Sequence, residues 1–149
     1  MVSLIDHVWF SSENYDYGEE YLIQKTEEVL HDPCELHFMY ESLIIFYNNY
    51  LYYQSDAAEK LVMVCRLDIE FYFRFIDAWR ARYRNERLPI DPLSFKTLWR
   101  FYETRGLLYE AIDICYAAIE YEIQDYTQGG YVERVARLER RLEEYLKNS

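Results

Sequence analysis

The amino-acid sequence predicts an all-α protein, a set of antiparallel helical hairpins with about six helices in a single domain over residues 1–149. Only four glycines and three prolines occur among the 149 residues, while 51% of the residues are apolar. Such a composition favours helices over a loop-rich or disordered chain. Apolar side chains also recur at intervals of three and four along most of the sequence, which is the spacing of one helix face.

Residues 1–31 are expected to form helices that cap the N-terminal end of the fold. Apolar residues near the start lie at helical spacing and predict a short amphipathic helix, which either caps the fold or docks a partner. The hydroxyl groups of Ser11 and Ser12 can then cap a second helix over about 14–31. The apolar residues of the first helix are Leu4, Ile5, Val8 and Trp9.

The first hairpin is predicted over 32–83. Asp32 and Pro33 begin its first helix, because an aspartate side chain accepts backbone N–H groups at the N-cap and proline is tolerated at the first helical position. The stretch from 36 to 53 is too apolar and aromatic for a single buried stripe, so we expect it to be the central helix. Asp56 then opens a long second helix that continues toward Tyr83.

The second hairpin is predicted over 91–123, after a short polar linker. Asp91 and Pro92 repeat the N-cap signal of the first hairpin. Gly106 marks the turn, because only glycine enters the left-handed conformation of a helix end without a steric penalty. The small side chains of Ala111 and Ala118 on the following helix allow two helix axes to approach closely.

The second hairpin resembles the tetratricopeptide repeat. That family has aromatic, leucine and tyrosine positions on the first helix, glycine at the turn, and two alanines seven residues apart on the second helix. The match covers about one repeat, the first hairpin is a degenerate copy, and Trp99 stands where the family keeps a small residue. The resemblance implies a fragment of a right-handed α-α superhelix that binds another protein or a peptide. The matching residues are Phe95, Leu98, Tyr102, Gly106, Ala111 and Ala118.

A C-terminal capping helix is predicted over 130–147. One face carries an apolar seam and the opposite face carries a charged set. The seam is expected to cover the preceding hairpin, and the alternative is that it forms a homodimer. The seam consists of Val135, Leu138, Leu142 and Tyr145, and the charged set consists of Glu133, Arg134, Arg137, Glu139, Arg140, Arg141 and Glu143.

The net charge of −11 is unevenly distributed. Residues 1–75 hold 14 acidic against 4 basic residues, a net charge of −10, and residues 76–149 hold 13 against 12, a net charge of −1. Because an acidic body repels nucleic acid and anionic membranes, we expect neither as a partner. No apolar run approaches the roughly 20 residues that span a bilayer. Three cysteines without close pairing fit a reducing compartment, so a cytoplasmic protein is expected.

No residue pattern predicts catalysis or a cofactor. The chain has neither a GxGxxG motif nor a Walker-type phosphate loop. The candidate metal ligands His31, Cys34 and His37 are too few for a structural zinc site. We therefore expect that the protein is not an enzyme and that it holds no metal or cofactor.

A cluster of arginines near the end of the first hairpin interleaves with aromatic residues. This combination can stack on bases and hold phosphates, and the alternative is that the arginines pair with the acidic residues of the segment 13–32. The arginines are Arg74, Arg80, Arg82, Arg84 and Arg87, and the aromatic residues are Phe75, Trp79 and Tyr83.

The predicted function is non-catalytic binding of a protein or peptide, as a scaffold or adaptor. In the family that the sequence resembles, the first helix of each hairpin lines the concave binding side. The resemblance therefore implies a groove that contains Asn48, Asn49, Lys96, Arg100 and Glu103.

An alternative function is that of an acidic inhibitor, of the kind that mobile elements carry, which imitates nucleic acid and blocks a DNA-binding enzyme. Such mimicry requires carboxylates in an orderly row along one surface. The candidates are Glu13, Asp16, Glu19, Glu20, Glu27 and Glu28.

Overall fold

The computed structural model describes residues 11–89 and 91–149, and these residues form six α-helices and no strand. The predicted all-α class with packed helical hairpins is confirmed. The short helix expected around Leu4 to Trp9 lies outside the described residues. The helices are α1 (Ser12–Glu28), α2 (Pro33–Asn49), α3 (Ala57–Arg82), α4 (Leu93–Thr104), α5 (Leu108–Glu120) and α6 (Gly130–Lys147).

The chain divides into two compact units, Met1–Glu86 and Arg87–Ser149. We call them the N-terminal unit, which contains α1, α2 and α3, and the C-terminal unit, which contains α4, α5 and α6. The single domain over 1–149 stays a prediction. Among the described residues, no helix is both long enough and apolar enough to cross a bilayer.

In the N-terminal unit, α2 is the central helix and packs against both α1 and α3. The aspartate at 32 caps α2, with its Oδ1 accepting from the backbone N–H groups of Cys34 at 3.1 Å and Glu35 at 3.3 Å. This confirms the predicted start of the helix. The ring of Tyr15 on α1 stacks on that of Phe46 on α2, with centroids 5.5 Å apart. The exposed side chain of Ile45 shows that one side of the central helix faces solvent.

In the C-terminal unit, α4 and α5 form the hairpin predicted around the turn at Gly106, which has a φ of 75°. Phe95 and Leu98 of α4 are fully buried, as are the small residues Ala111 and Ala118 of α5. The close packing predicted from those alanines is therefore present.

Helix α6 packs on α5, as expected for a helix that covers the hairpin. Val135 and Leu138 of its apolar seam are buried, whereas Tyr145 is exposed near the C-terminal end. Because the buried part of the seam is occupied inside the unit, only the end around Tyr145 is left exposed. A homodimer through this helix stays a prediction.

The prediction that Asp91 caps α4 was wrong. Helix α4 begins at Leu93 after Pro92, and no side chain caps it. Asp91 itself has a left-handed φ of 59°, and its N–H donates to the carbonyl oxygen of Gln124 at 3.0 Å. The contact with the loop after α5 holds the backbone of Asp91 in a conformation that an N-cap residue does not adopt.

Candidate functional site

The five residues predicted to line a groove fall in both units. Asn48 and Asn49 lie exposed in the last turn of α2 in the N-terminal unit. Lys96, Arg100 and Glu103 lie on one face of α4 in the C-terminal unit, at spacings of four and three. The five residues therefore form two separate groups, one in each unit.

Lys96 and Arg100 line a recess of about 220 Å³ at the surface of the C-terminal unit. We call it the α4–α6 recess. Sites for small-molecule ligands usually have volumes of roughly 300–1,000 Å³, so this recess has the size of one or two side chains. The lining residues are Asp91, Lys96, Trp99, Arg100, Asp125, Tyr126, Thr127 and Arg134.

Arg134 of α6 is the most enclosed cation of the recess, with 11% of its side chain exposed. Its Nη2 atom donates to Asp125 Oδ2 at 2.8 Å and to Thr127 Oγ1 at 2.9 Å. The guanidinium also lies over the ring of Trp99, 4.1 Å from the centroid. The sequence had placed Arg134 among the charged residues opposite the seam, and this was wrong because the loop between α5 and α6 covers it.

Asp125 is the carboxylate that holds Arg134 in place. Its side chain is only 6% exposed. Burial alone raises the pKa of Asp125, but hydrogen bonds from Thr127 and Arg134 outweigh burial and hold the pKa below its usual value. Asp125 is therefore ionised at neutral pH, and its charge is already matched by that of Arg134.

Asp91 and Lys96 form a second ion pair in the recess. The distance from Lys96 Nζ to Asp91 Oδ2 is 3.2 Å. The other carboxylate oxygen of Asp91 is buried without a hydrogen-bond partner among the described residues. Lys96 remains about one-third exposed, so its ammonium group can still reach a ligand.

Arg100 is the third cation of the recess and differs from the other two. Its side chain is exposed, and its guanidinium lies 5.5 Å from the centroid of the Trp99 ring. No hydrogen bond or ion pair to Arg100 occurs in the described part of the chain. The recess thus has one cation without a carboxylate partner.

Glu103, the third predicted residue of α4, is already engaged within the unit. Its carboxylate accepts from Arg137 Nη1 at 3.1 Å and Nη2 at 3.0 Å, and Arg141 Nη1 lies 3.4 Å away. This bidentate pair attaches α6 to α4. A contact between Glu103 and a partner stays a prediction, and it would have to compete with these two arginines.

The N-terminal unit carries a row of carboxylates on α1. Residues at offsets of 3, 7 and 14 from Glu13 share one face of a helix, and Asp16, Glu20 and Glu27 stand at these offsets, all exposed. We call this set the acidic row. The remaining two candidates do not belong to it. The carboxylate of Glu19 accepts from Tyr47 and Lys60, and that of Glu28 pairs with Lys25 at 3.6 Å.

A buried histidine–aspartate pair joins α2 and α3. His37 Nδ1 lies 2.7 Å from Asp68 Oδ1, and the two side chains are 1% and 0% exposed. The imidazole also stacks on Phe75, with centroids 4.0 Å apart. His37 was predicted to group with His31 and Cys34, and its partner Asp68 was not predicted. The available signal was a single acidic residue on the otherwise apolar face of α3.

No group of three or more histidine, cysteine or acidic residues in the described ranges is arranged to hold a metal ion. The Nδ1 atom of His37 faces Asp68 of α3, and its Nε2 atom lies 3.7 Å from Glu41 Oε2 on α2.

The aromatic side chains of the arginine and aromatic cluster pack within the N-terminal unit, whereas its arginines are exposed. Arg82 pairs with Asp32 at 3.1 Å, as expected if the arginines face the acidic segment 13–32. Phe75 is fully buried, and Trp79 lies against Tyr83 with ring centroids 4.4 Å apart. These three aromatic side chains therefore contribute to packing, and Arg82 has an intramolecular partner.

Comparison with known proteins found no match to the chain. No family model matches it. No curated protein and no solved structure matches it either. The resemblance to the tetratricopeptide repeat therefore stays a prediction from residue spacing, and any function has to be argued from the geometry of the two units.

Proposed function

We propose that this protein is a non-catalytic binding module that engages a protein or peptide through the α4–α6 recess. The observation that carries the proposal is Arg100, an exposed cation that lies beside Trp99 and lacks an ionic partner among the described residues. Arginine and aromatic residues dominate the energetically important positions of protein interfaces.

The rim of the recess supports a macromolecular ligand. Tyr126 is 84% exposed at its edge, and Trp99 lies within it. Tyrosine supplies a large contact area with little loss of conformational entropy on binding. The volume of about 220 Å³ suits an inserted side chain better than a free small-molecule substrate.

The chemistry of the N-terminal unit also favours binding over catalysis. The histidine–aspartate pair is the arrangement closest to a catalytic dyad, but His37 and Asp68 are sealed in the core. A general base has to come within hydrogen-bond reach of its substrate, and these side chains have no exposed path to one.

A cytoplasmic location is part of the proposal. The supporting observation is that Cys34, Cys65 and Cys115 are all free and buried. Disulfides are rare in cytosolic proteins, where thiols are kept reduced.

Site-specific photo-cross-linking tests the binding proposal. We expect a photoreactive phenylalanine analogue at position 126 to give a protein adduct in an extract of the producing cells, whereas the same analogue at exposed Tyr109 on α5 gives none. Arg100→Glu should lower the yield of the adduct by roughly tenfold or more, because an interface arginine often contributes about 2 kcal/mol.

Arg105→Glu is the matched control for this experiment. Arg105 is also an exposed arginine and directly follows α4; its guanidinium lies over the ring of Phe101, 3.5 Å from the centroid and outside the recess. It should leave the yield unchanged. Equal yields from Arg100→Glu and Arg105→Glu would show that the adduct does not depend on the recess.

The acidic row supports a second candidate function, an inhibitor that imitates nucleic acid. Glu13, Asp16 and Glu20 follow one another along α1 at axial steps of about 4.5 and 6 Å, from a helix rise of about 1.5 Å per residue. Each strand of B-DNA carries one phosphate charge per roughly 3.4 Å of axis. The acidic row therefore presents negative charges in a line, at wider spacing than the phosphates.

Displacement by DNA tests this second candidate. A DNA-binding protein captured by the immobilised chain should be released by excess double-stranded DNA, and a chain with all four carboxylates of the acidic row changed to amides should fail to capture it. The control chain carries four such changes in the C-terminal unit, at Glu122, Glu139, Glu143 and Glu144, and should capture normally. A captured protein that DNA does not displace would contradict mimicry.

A further inference from the structure

We infer that the α4–α6 recess accepts the carboxylate of an aspartate or glutamate side chain of the partner. This inference rests on the proposed function and specifies its ligand chemistry. It follows from the charges, the contacts and the size of the recess.

The charges of the recess leave one positive charge to be matched. Lys96 pairs with Asp91 at 3.2 Å, and Arg134 pairs with Asp125 at 2.8 Å. Arg100 is left without a carboxylate in the described residues. A single carboxylate from a partner would bring the net charge of the lining to zero.

The residues around Arg100 place its guanidinium where it can bind a carboxylate. A planar guanidinium presents parallel N–H donors that match the two oxygens of a carboxylate. The guanidinium of Arg100 lies beside the ring of Trp99, and the guanidinium of Arg134 on α6 lies over the same ring. Lys96, one turn earlier on α4, is exposed enough to contribute a second cation to the same ligand.

The size of the recess limits the ligand to one or two side chains. Since liquid water occupies about 30 Å³ per molecule, the recess has room for roughly seven waters, so an acidic side chain enters it together with some of the water. A phosphoryl group carries about −1.5 to −2 charges and would overcompensate Arg100. The carboxylate is the better match in charge.

The acidity of the whole chain does not prevent this contact. The net charge of −11 acts at long range, but charges separated by more than about 8 Å are largely screened at physiological ionic strength. The cations of the recess act at contact distance, where screening is weak. At physiological ionic strength we therefore expect the local attraction to outweigh the long-range repulsion.

Selection from a random peptide library displayed on phage tests the inference, with the full chain as bait. Peptides selected by the wild type should share an acidic position, and replacing that residue by its amide should weaken binding roughly ten- to hundredfold, as expected for a hydrogen bond to a charged group. Peptides selected by Arg100→Glu should instead share a lysine or arginine. Arg105→Glu should select the same acidic peptides as the wild type.

The possible outcomes separate the inference from the proposed function. Peptides that require Arg100 but share no acidic position would overturn the inference and leave the binding function in place. Peptides that bind Arg100→Glu and the wild type equally would overturn both. A phosphoserine at the shared position that binds more tightly than glutamate would overturn the choice of a carboxylate.

Discussion

Replacement of Asp68 by alanine is expected to lower the free energy of unfolding by about 3–5 kcal/mol, the usual result of removing one partner from a buried polar pair. His37 would be left buried at 1% exposure, without the carboxylate that now lies 2.7 Å from its Nδ1. Its Nε2 atom lies 3.7 Å from Glu41 Oε2, beyond hydrogen-bond distance, so neither ring nitrogen would have a hydrogen bond within the core. Urea unfolding followed by circular dichroism measures the loss.

Two variants separate the effect of the pair from that of a general change in α3. Asp77→Ala removes an exposed aspartate from the same helix and should change stability by no more than about 0.5 kcal/mol. Substituting leucine for both His37 and Asp68 removes the two polar groups together and should recover most of the loss. A loss below about 1 kcal/mol for Asp68→Ala would show that the pair contributes little to the N-terminal unit.

Replacement of Arg134 by alanine is expected to have an effect of similar size on the C-terminal unit, about 3–5 kcal/mol. The substitution removes the ion pair with Asp125 and leaves that carboxylate at 6% exposure with only Thr127 as a donor. It also uncovers the face of Trp99, over which the guanidinium now lies at 4.1 Å. Urea unfolding followed by tryptophan fluorescence measures both changes.

Arg137→Ala provides the matched control for this second prediction. Arg137 also joins α6 to α4, but it is 42% exposed and its partner Glu103 keeps Arg141 as a second cation. Because exposed ion pairs usually contribute no more than about 1 kcal/mol, this loss should be small. Equal losses for Arg134→Ala and Arg137→Ala would contradict a special role for the enclosed pair.

The features that were predicted correctly depend on local sequence. Asp32 before Pro33 marks a helix start within three residues, and Gly106 marks a turn by its own conformational freedom. Each of these signals acts over about one helical turn, so no tertiary information was needed. Lys96 and Arg100 were named from the resemblance to the tetratricopeptide repeat, and their role in binding stays a prediction.

The features that were missed depend on contacts between distant segments. His37 and Asp68 are 31 residues apart, and only the packing of α2 on α3 brings them together. The backbone of Asp91 is held by a hydrogen bond to Gln124, which overrides the N-cap signal of an aspartate before a proline. Arg134 was assigned to the charged face of α6, although it stands four residues before Leu138 of the seam, and the loop after α5 encloses it.

The three buried thiols have a practical consequence for following how this chain opens. Cys34 and Cys65 belong to one unit, while Cys115 belongs to the other. Burial raises the pKa of Cys115 to about 12 and also raises that of Cys65, so neither forms the reactive thiolate while its surroundings are closed. The rate at which an alkylating reagent modifies each sulfur therefore reports the opening of each unit separately. Because these cysteines belong to the natural sequence, no cysteine has to be introduced.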